Sequence, residues 1–276
     1  VTFASCFPDK ELAPVIALRM KRMGYNVLRF HHMDMRAAPA GIWQEDMETF
    51  DPEQLDKLDW FIYHLKRNGI YTNLNLHVSR NYPGSEYAHH HFNFGKSIDQ
   101  FYEPYIAMQK EFARMLLTHE NTYTGTTYLE EPGIAFVEIN NENSLLSNWW
   151  LLPELKGAHR ASLQRQWREW LPGAAAEGSA AGLFAIADDY AGSSSEERRL
   201  FWDFLMETEL GYVAEMKQFL EEELGVRSLI CDTQASYSGV AGVLREARYS
   251  DFIDLHAYWQ HPSFPNAQWS RTDWLI

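Results

Sequence analysis

Glu142 closes the run Gly133-Ile134-Ala135-Phe136-Val137-Glu138-Ile139-Asn140-Asn141-Glu142-Asn143-Ser144, an apolar, β-branched segment that turns abruptly polar. Pro132-Gly133 punctuates its start, so the pattern predicts a buried strand with a carboxylate at its C-terminal tip. A carboxylate placed there beside side-chain amides has its proton affinity set by its surroundings, which is what acid/base catalysis requires. A strand capped by a polar loop accounts for the same residues without any chemistry. The rest of the chain has to decide between the two.

Period-two alternation sorts three further segments into faces. Arg29 and His31 share one side of 25–31 against Leu28 and Phe30, and Asn73, Asn75 and His77 share one side of 70–77 against Leu74 and Leu76. In 251–258, Asp254, His256 and Tyr258 oppose Ile253, Leu255 and Ala257. Apolar faces suit a layer of helices; polar faces turned into a barrel must pair with one another. The C-terminal members Arg29, His77, Asn141, Glu142, His256 and Tyr258 are therefore expected to converge on one rim. A lone strand histidine is more often a satisfied core residue, but six such residues at the ends of four strands argue for an active site.

The elements that position them alternate strand with helix. A first strand is expected to end near residue 5. Asp9 is the expected cap of a helix whose stripe is Leu12, Val15, Ile16 and Met20, ended by Gly24. Asp51-Pro52 starts a helix that runs at apolar spacing to Gly69, and another covers 101–118. The segment 144–195, with a helix near 163–170 and an Ala/Gly/Ser-rich stretch from 172, reads as an elaborated loop or helical insertion over the mouth of the fold. A helix over 196–224 ends at Gly225, a fifth strand covers 226–231, a short helix lies near 240–247, and 251–258 is the sixth strand. Six β/α units in 276 residues point to one (β/α)8-type barrel domain. The competing doubly wound sheet usually shows a glycine-rich first turn, and Ser5-Cys6-Phe7-Pro8 is not one.

Composition narrows the partners. The chain is 46% hydrophobic and 14% aromatic with 10 Trp, which makes it globular and suits rings that stack on sugars, although core packing accounts for aromatics equally well. A formal charge of −14 argues against nucleic acid or an anionic membrane as partner, and no apolar run is long enough to span a bilayer. Cys6 and Cys231 read as small buried residues, not a disulfide scaffold or a zinc cluster. His31-His32-Met33-Asp34 has no second cluster at ligand spacing, so neither metal nor cofactor is expected. His89-His90-His91 reads as a solvated loop.

At this point the residues resemble a family. Arg29 in Gly24-Tyr25-Asn26-Val27-Leu28-Arg29-Phe30, His77, Asn141-Glu142 and His256-x-Tyr258 are similar to the active-site set of the retaining glycoside hydrolases of clan A, closest to the cellulase-like family 5. The resemblance implies a barrel that cleaves β-linked sugars of a β-glucan-like oligo- or polysaccharide with two glutamates. Glu142 would be the acid/base, Asn141 would bind the sugar hydroxyl beside the reacting carbon, and Arg29 would keep the nucleophilic carboxylate ionised. Tyr258 would donate to that carboxylate, while His77 and His256 would position sugar and carboxylates. Burial and the second carboxylate would raise the Glu142 pKa for its acid role. His31, His32 and Asp34 would line the non-reducing side, and Trp149, Trp150 and Trp259 are candidate stacking rings. The family leans towards secreted or periplasmic proteins.

The departure is the nucleophile, which the family carries on a seventh strand. Glu138, Asp232 and Asp254 are poorly placed substitutes, and Trp269 and Trp274 come too early for an eighth-strand platform. The expectation is that this is an N-terminal portion of a longer barrel, completed by a missing C-terminal segment and inactive alone. Exo-acting β-galactosidase or β-glucosidase activity, or a non-catalytic carbohydrate-binding barrel, are the alternatives.

Overall fold

The computed structural model describes residues 2–3, 7–36, 41–82, 85–171, 182–233, 239–267, 270 and 272–275. Cys6, the 172–181 part of the Ala/Gly/Ser-rich stretch and Trp269 lie outside the described residues. Strands β1 (Thr2–Phe3), β2 (Val27–Phe30), β3 (Tyr71–Asn75), β6 (Ile134–Glu138) and β7 (Leu229–Cys231) form one sheet in the order β1-β2-β3-β6-β7, every neighbouring pair parallel. Spatial order follows chain order without the reversal a doubly wound sheet needs, so the architecture is of the (β/α)8-barrel type. Among the described residues the sheet does not close into a barrel. A two-stranded hairpin, β4 (Glu120–Asn121) with β5 (Thr126–Thr127), lies outside it.

Helices α1 (Ala13–Arg22), α2 (Pro52–Arg67), α4 (Glu103–Leu117) and α7 (Ser195–Gln218) cover the sheet, with short α3 (His90–Asn93) between β3 and α4. Leu28, Phe30, Leu74, Val137 and Ile230 of the strands pack with Ala17, Phe61, Leu65, Phe112, Val213 and Met216 of the helices in one core. The boundaries follow local chemistry. The Asp51 carboxylate accepts from the amides of Glu53 and Gln54 ahead of Pro52 at the first turn. Ser194 and Glu197 form a reciprocal capping box at the start of α7. Gly24, Gly69 and Gly225 stand at φ of +84°, +72° and +75°, where a side chain would be strained; the first two follow α1 and α2, and Gly225 follows the π-helical turn Phe219–Glu223 that continues α7.

Helices α5 (Gly157–Trp170) and α6 (Leu183–Asp188) and the 3-10 turn Trp149–Glu154 form a second apolar cluster with the N-terminal half of α7. Leu200, Phe201 and Phe204 of α7 belong to this cluster; Tyr212, Val213 and Met216 belong to the barrel core. One helix thus ties the 144–195 segment to the sheet.

Two expectations fail. Helix α1 starts at Ala13, not at an Asp9 side-chain cap: the Asp9 carbonyl accepts from Leu12 and Ala13, and Pro14 takes the first turn. Its buried stripe is Ala13, Ala17 and Met20, while Leu12 and Val15 face solvent. The sixth strand is also absent. Asp251 joins β7 through its amide to the Ile230 carbonyl and its carboxylate to the Ile230 amide, but beyond it only Asp254 is bridged and no continuous strand forms over 251–258. Alternation only predicts a strand if something buries its apolar face, and Ile253 and Leu255 are exposed. Helix α8 (Gly239–Tyr249) precedes this segment.

Asp51→Ala is expected to lower the free energy of unfolding by about 1 kcal/mol, since the carboxylate oxygen that accepts from two amides in the first turn of α2 is lost. Urea denaturation checks this, and an unchanged midpoint would count against the cap.

Candidate active site

Arg29 rises from β2 toward the end of β6 and grips Glu138 with two parallel hydrogen bonds, Nε to Oε2 and Nη2 to Oε1, both 2.6 Å. Glu138 is fully buried, so burial pushes its carboxyl above the usual range and the guanidinium pulls it back. Nη2 also donates to Asn141 Oδ1 at 2.7 Å. Nη1 lies 3.0 Å from His31 Nδ1; burial, then the neighbouring His32 and Arg29 charges, hold His31 down to about 2, so a neutral ring accepts that bond. The carboxylate that Arg29 serves in this structure is therefore Glu138, the last residue of β6.

Glu142 follows at φ +48°, a left-handed backbone unusual outside glycine. That turn takes its side chain out of the strand direction and brings Oε1 within 2.9 Å of His256 Nδ1, while His256 Nε2 lies 2.9 Å from Asp254 Oδ2. Burial disfavours the imidazolium, but hydrogen bonds to Asp254 and Glu142 outweigh it and raise His256 to about 9. The same contact lowers Glu142, against the opposing pull of burial. The expected rise in the Glu142 pKa is thus corrected: its nearest charged neighbour is an imidazolium, not a second carboxylate. With the ring between them, Glu142 and Asp254 share one proton carrier, and no anomeric carbon fits between these two acids as they stand.

His77 is buried behind this rim. Its Nδ1 lies 3.2 Å from Asp34 Oδ2 and its Nε2 3.0 Å from Asp99 Oδ2. Burial lowers its affinity for a proton and the two carboxylates more than restore it, to about 9. Asp34 also accepts from the successive amides of Val78, Ser79 and Arg80, so it stays near 2 despite complete burial. Asp99 in turn accepts from Asn143 Nδ2 with both carboxylate oxygens at 2.9 Å. Neither His77 nor Asp34 is open to a sugar, contrary to the sequence expectation; both brace the loops from behind. His32, at φ +63°, sits on Ser79 Oγ at 2.7 Å beside His31.

The aromatic candidates scatter. Trp149 packs among Tyr190, Phe201 and Trp202 of the helical cluster, while Trp150 is exposed beside His89. Tyr258 is 66% exposed against His261, and Trp259 is fully exposed. Tyr258 and Trp259 follow His256 in the chain but face solvent, not Glu142. Trp274 is exposed as well.

Among the other carboxylates, Asp232 is buried 2.6 Å from Arg245 Nε, and the same guanidinium pairs with Glu209. Glu138, Asp254 and His256 bring ligand atoms within 4.8 Å of one another, the spacing of a three-ligand cation site. Both Glu138 oxygens already hold Arg29 and both His256 nitrogens already face carboxylates, so a cation would have to displace all of these. Lys96, in a loop, and Asp99, in the single 3-10 turn Ile98–Gln100, carry no periodic signal that the sequence could show, and Glu138 reads there as too deep.

No protein-family model matches the sequence, and no curated protein does. Solved structures do. The endo-1,4-β-mannanase from Rhizomucor miehei is 14% identical with a TM-score of 0.51, over 83% of this chain and 54% of its own. A mutant family 5 mannosidase from the same organism, in complex with mannosyl-fructose, is 12% identical with a TM-score of 0.53, over 91% of this chain and 52% of its own. The β-galactosidase from Marinomonas ef1 is 12% identical with a TM-score of 0.54, over 94% of this chain and 40% of its own. The fold is the one these hydrolases share. The chain spans about half the length of the solved structures it matches.

Two outcomes follow from the geometry. Arg29→Met is expected to cost on the order of 3–5 kcal/mol in denaturant unfolding, because Glu138 is left buried and unpaired; a loss under 1 kcal/mol would show the pair to be dispensable. His77 is raised to about 9 from an ordinary 6.5, so the stability it contributes is complete below pH 6.5 and lost as pH rises through 9. His256 adds a loss over the same window. Unfolding free energies measured from pH 6 to 10 should decline, and His77→Gln should flatten the decline; an equally steep slope in the variant would refute the assignment.

Proposed function

We propose that this chain carries the acid/base half of a retaining hydrolase of β-linked sugars, with Glu142 as the acid/base. The observation that carries the reading is the joining of Arg29 from β2, Glu138, Asn141 and Glu142 at and just after the end of β6, and His256 from the segment after α8, at the C-terminal edge of the parallel sheet. Catalytic groups in barrels of this type collect at that face.

In the proposed reaction a carboxylate attacks the anomeric carbon while Glu142 protonates the leaving oxygen; Glu142 then takes a proton from the water that releases the sugar. Glu142 and His256 act as one proton-holding unit. Their 2.9 Å contact lets the proton resting on the ring move to the carboxylate when a glycosidic oxygen approaches. Asn141, its amide oxygen fixed by Arg29, leaves its NH2 group for the hydroxyl beside the reacting carbon. No role follows for Tyr258 while it faces solvent.

The attacking carboxylate is proposed to come from outside these residues. Glu138 and Asp232 are neutralised by Arg29 and Arg245, and Asp254 is held by His256. Exposed Val240, Leu244, Ile253 and Leu255 beside β7 offer an apolar face for further β/α units of the same barrel. The related folds act, by their names, on mannan, mannosides and galactosides, so β-mannan and β-galactosides stand beside β-glucan as candidate substrates. A carbohydrate-binding barrel without turnover is the second reading, favoured by the absence of a second free carboxylate at the rim among the described residues.

Glu142→Gln is expected to lower kcat by about 10²–10⁴-fold in the full-length protein while its unfolding transition is retained. Assays on aryl β-glycosides, β-mannan and β-glucan check this. Unchanged turnover in the variant would remove Glu142 from the mechanism, and sugar binding without turnover in the unmodified protein would select the binding barrel.

A further inference from the structure

Lys96 is only 6% exposed, yet no carboxylate lies within ion-pair distance of it among the described residues. A buried ammonium of this kind is costly unless it answers to something. Its Nζ donates to the backbone carbonyl of Glu142 at 3.3 Å. The residues on either side, Gly95 and Ser97, both adopt left-handed backbone, at φ +72° and +68°. At Gly95 a Cβ would sit 2.3 Å from the Tyr82 ring, so glycine is required there.

This short loop is stitched to the turn after β6 residue by residue. Lys96 Nζ holds the Glu142 carbonyl, Ser97 N donates to Asn143 Oδ1 at 2.7 Å, and Ser97 Oγ donates to the Ser144 carbonyl at 3.2 Å. On the far side, Asn143 N donates to Thr233 Oγ1. The peptide that follows the strained Glu142 is therefore clamped at both its carbonyl and its amide.

We propose that Lys96 is a positioning residue for Glu142, holding the left-handed peptide that aims its carboxylate at His256 and supplying a positive charge beside it. The charged groups facing Glu142 are His256, Lys96 and Arg29. Those facing Lys96 are Glu142, Asp99, Asp34 and Arg29, with the imidazoles of His31 and His32 beside it and His32 also facing Glu142; burial pulls the Lys96 pKa below the usual lysine range against the three acids. Removing the ammonium makes the Glu142 carboxylate less favourable, so its pKa rises. The proposal takes Glu142 as the acid/base from the reading above, but its test does not need turnover.

The Glu142 carboxyl is titrated by NMR in the full-length protein with 13C-labelled glutamate, its signal assigned by its loss in Glu142→Gln. Lys96→Gln, which keeps a donor without charge, is expected to shift the titration to higher pH; Lys96→Arg, which keeps the charge, is expected to hold it. Where the protein turns over substrate, Lys96→Gln should lower kcat about 10–100-fold with little change in KM and move the acid limb of the pH profile upward. An unmoved Glu142 titration in Lys96→Gln, with only thermal stability reduced, overturns the proposal. Failure to find turnover would weaken the hydrolase reading and leave the titration result standing.

Discussion

A carboxylate that never meets water has to find its positive partner inside the protein, and this requirement organises the whole strand-end face. Glu138 is the central case: it has no solvent exposure, and Arg29 reaches it from two strands away with a bidentate grip. The same arrangement recurs around it. His77 lies between Asp34 and Asp99, Arg245 between Glu209 and Asp232, and His256 between Glu142 and Asp254. In each case a single cation is shared by acids from different segments, so the pairs act as cross-links as well as charge balance. The fully buried sets around His77 and Arg245 contribute little net stability when complete, yet removing one partner is severely destabilising; the partly exposed His256 set is weaker. The rim is therefore rigid for an electrostatic reason, and the orientation of Glu142 is inherited from that rigidity.

The sheet and the helices that flank it could be read from residue patterns because their signals are local. Asp51-Pro52 starts a helix and Gly69 follows its end through backbone chemistry that no distant contact needs to supply. Alternation likewise put Arg29 inside, and the Asn-Glu pair at a strand end. The alternation in 251–258 was equally regular and yielded only one bridged residue, Asp254, since a strand also needs a cover for its apolar face, and Ile253 and Leu255 are exposed. The exposed Tyr258 and Trp259 belong to the same failure. Within the site, His77 and Asp34 were recognised as important but assigned to the cleft, because a sequence shows polarity and not depth. Lys96 and Asp99 were invisible: one sits in a loop and the other in a single 3-10 turn, neither with a period, and they gain meaning only from the Glu142 and Asn143 groups they meet.

The helical segment after Glu142 bears on the same face. Ser144 Oγ and the Leu146 amide both donate to Glu209 of α7, and Glu209 is held by Arg245 of α8. Asn140 donates to the Tyr212 hydroxyl, which donates to Gln109 of α4. The turn carrying Glu142 is thus connected by buried polar contacts to three helices. Because α7 also takes part in both apolar clusters, packing of the 149–188 helices against it bears on the geometry of the turn.

Left-handed backbone in this chain separates two uses of the same conformation. At Gly24, Gly69 and Gly225 it stops a helix and carries no side chain, so it costs nothing beyond chain entropy. At Glu142 the same region of φ holds a residue that pays about 1–3 kcal/mol for it. A glycine would relieve that strain but would remove the carboxylate, so the strain and the chemistry are inseparable at this position. What makes it tolerable is the set of bonds on either side: Asn141 N to the His77 carbonyl, Asn143 N to Thr233, and Lys96 to the intervening carbonyl. Each comes from a different strand end or loop, so the strained turn exists only in the assembled sheet. Glu142 is consequently poised by the fold as a whole, and by no single neighbour.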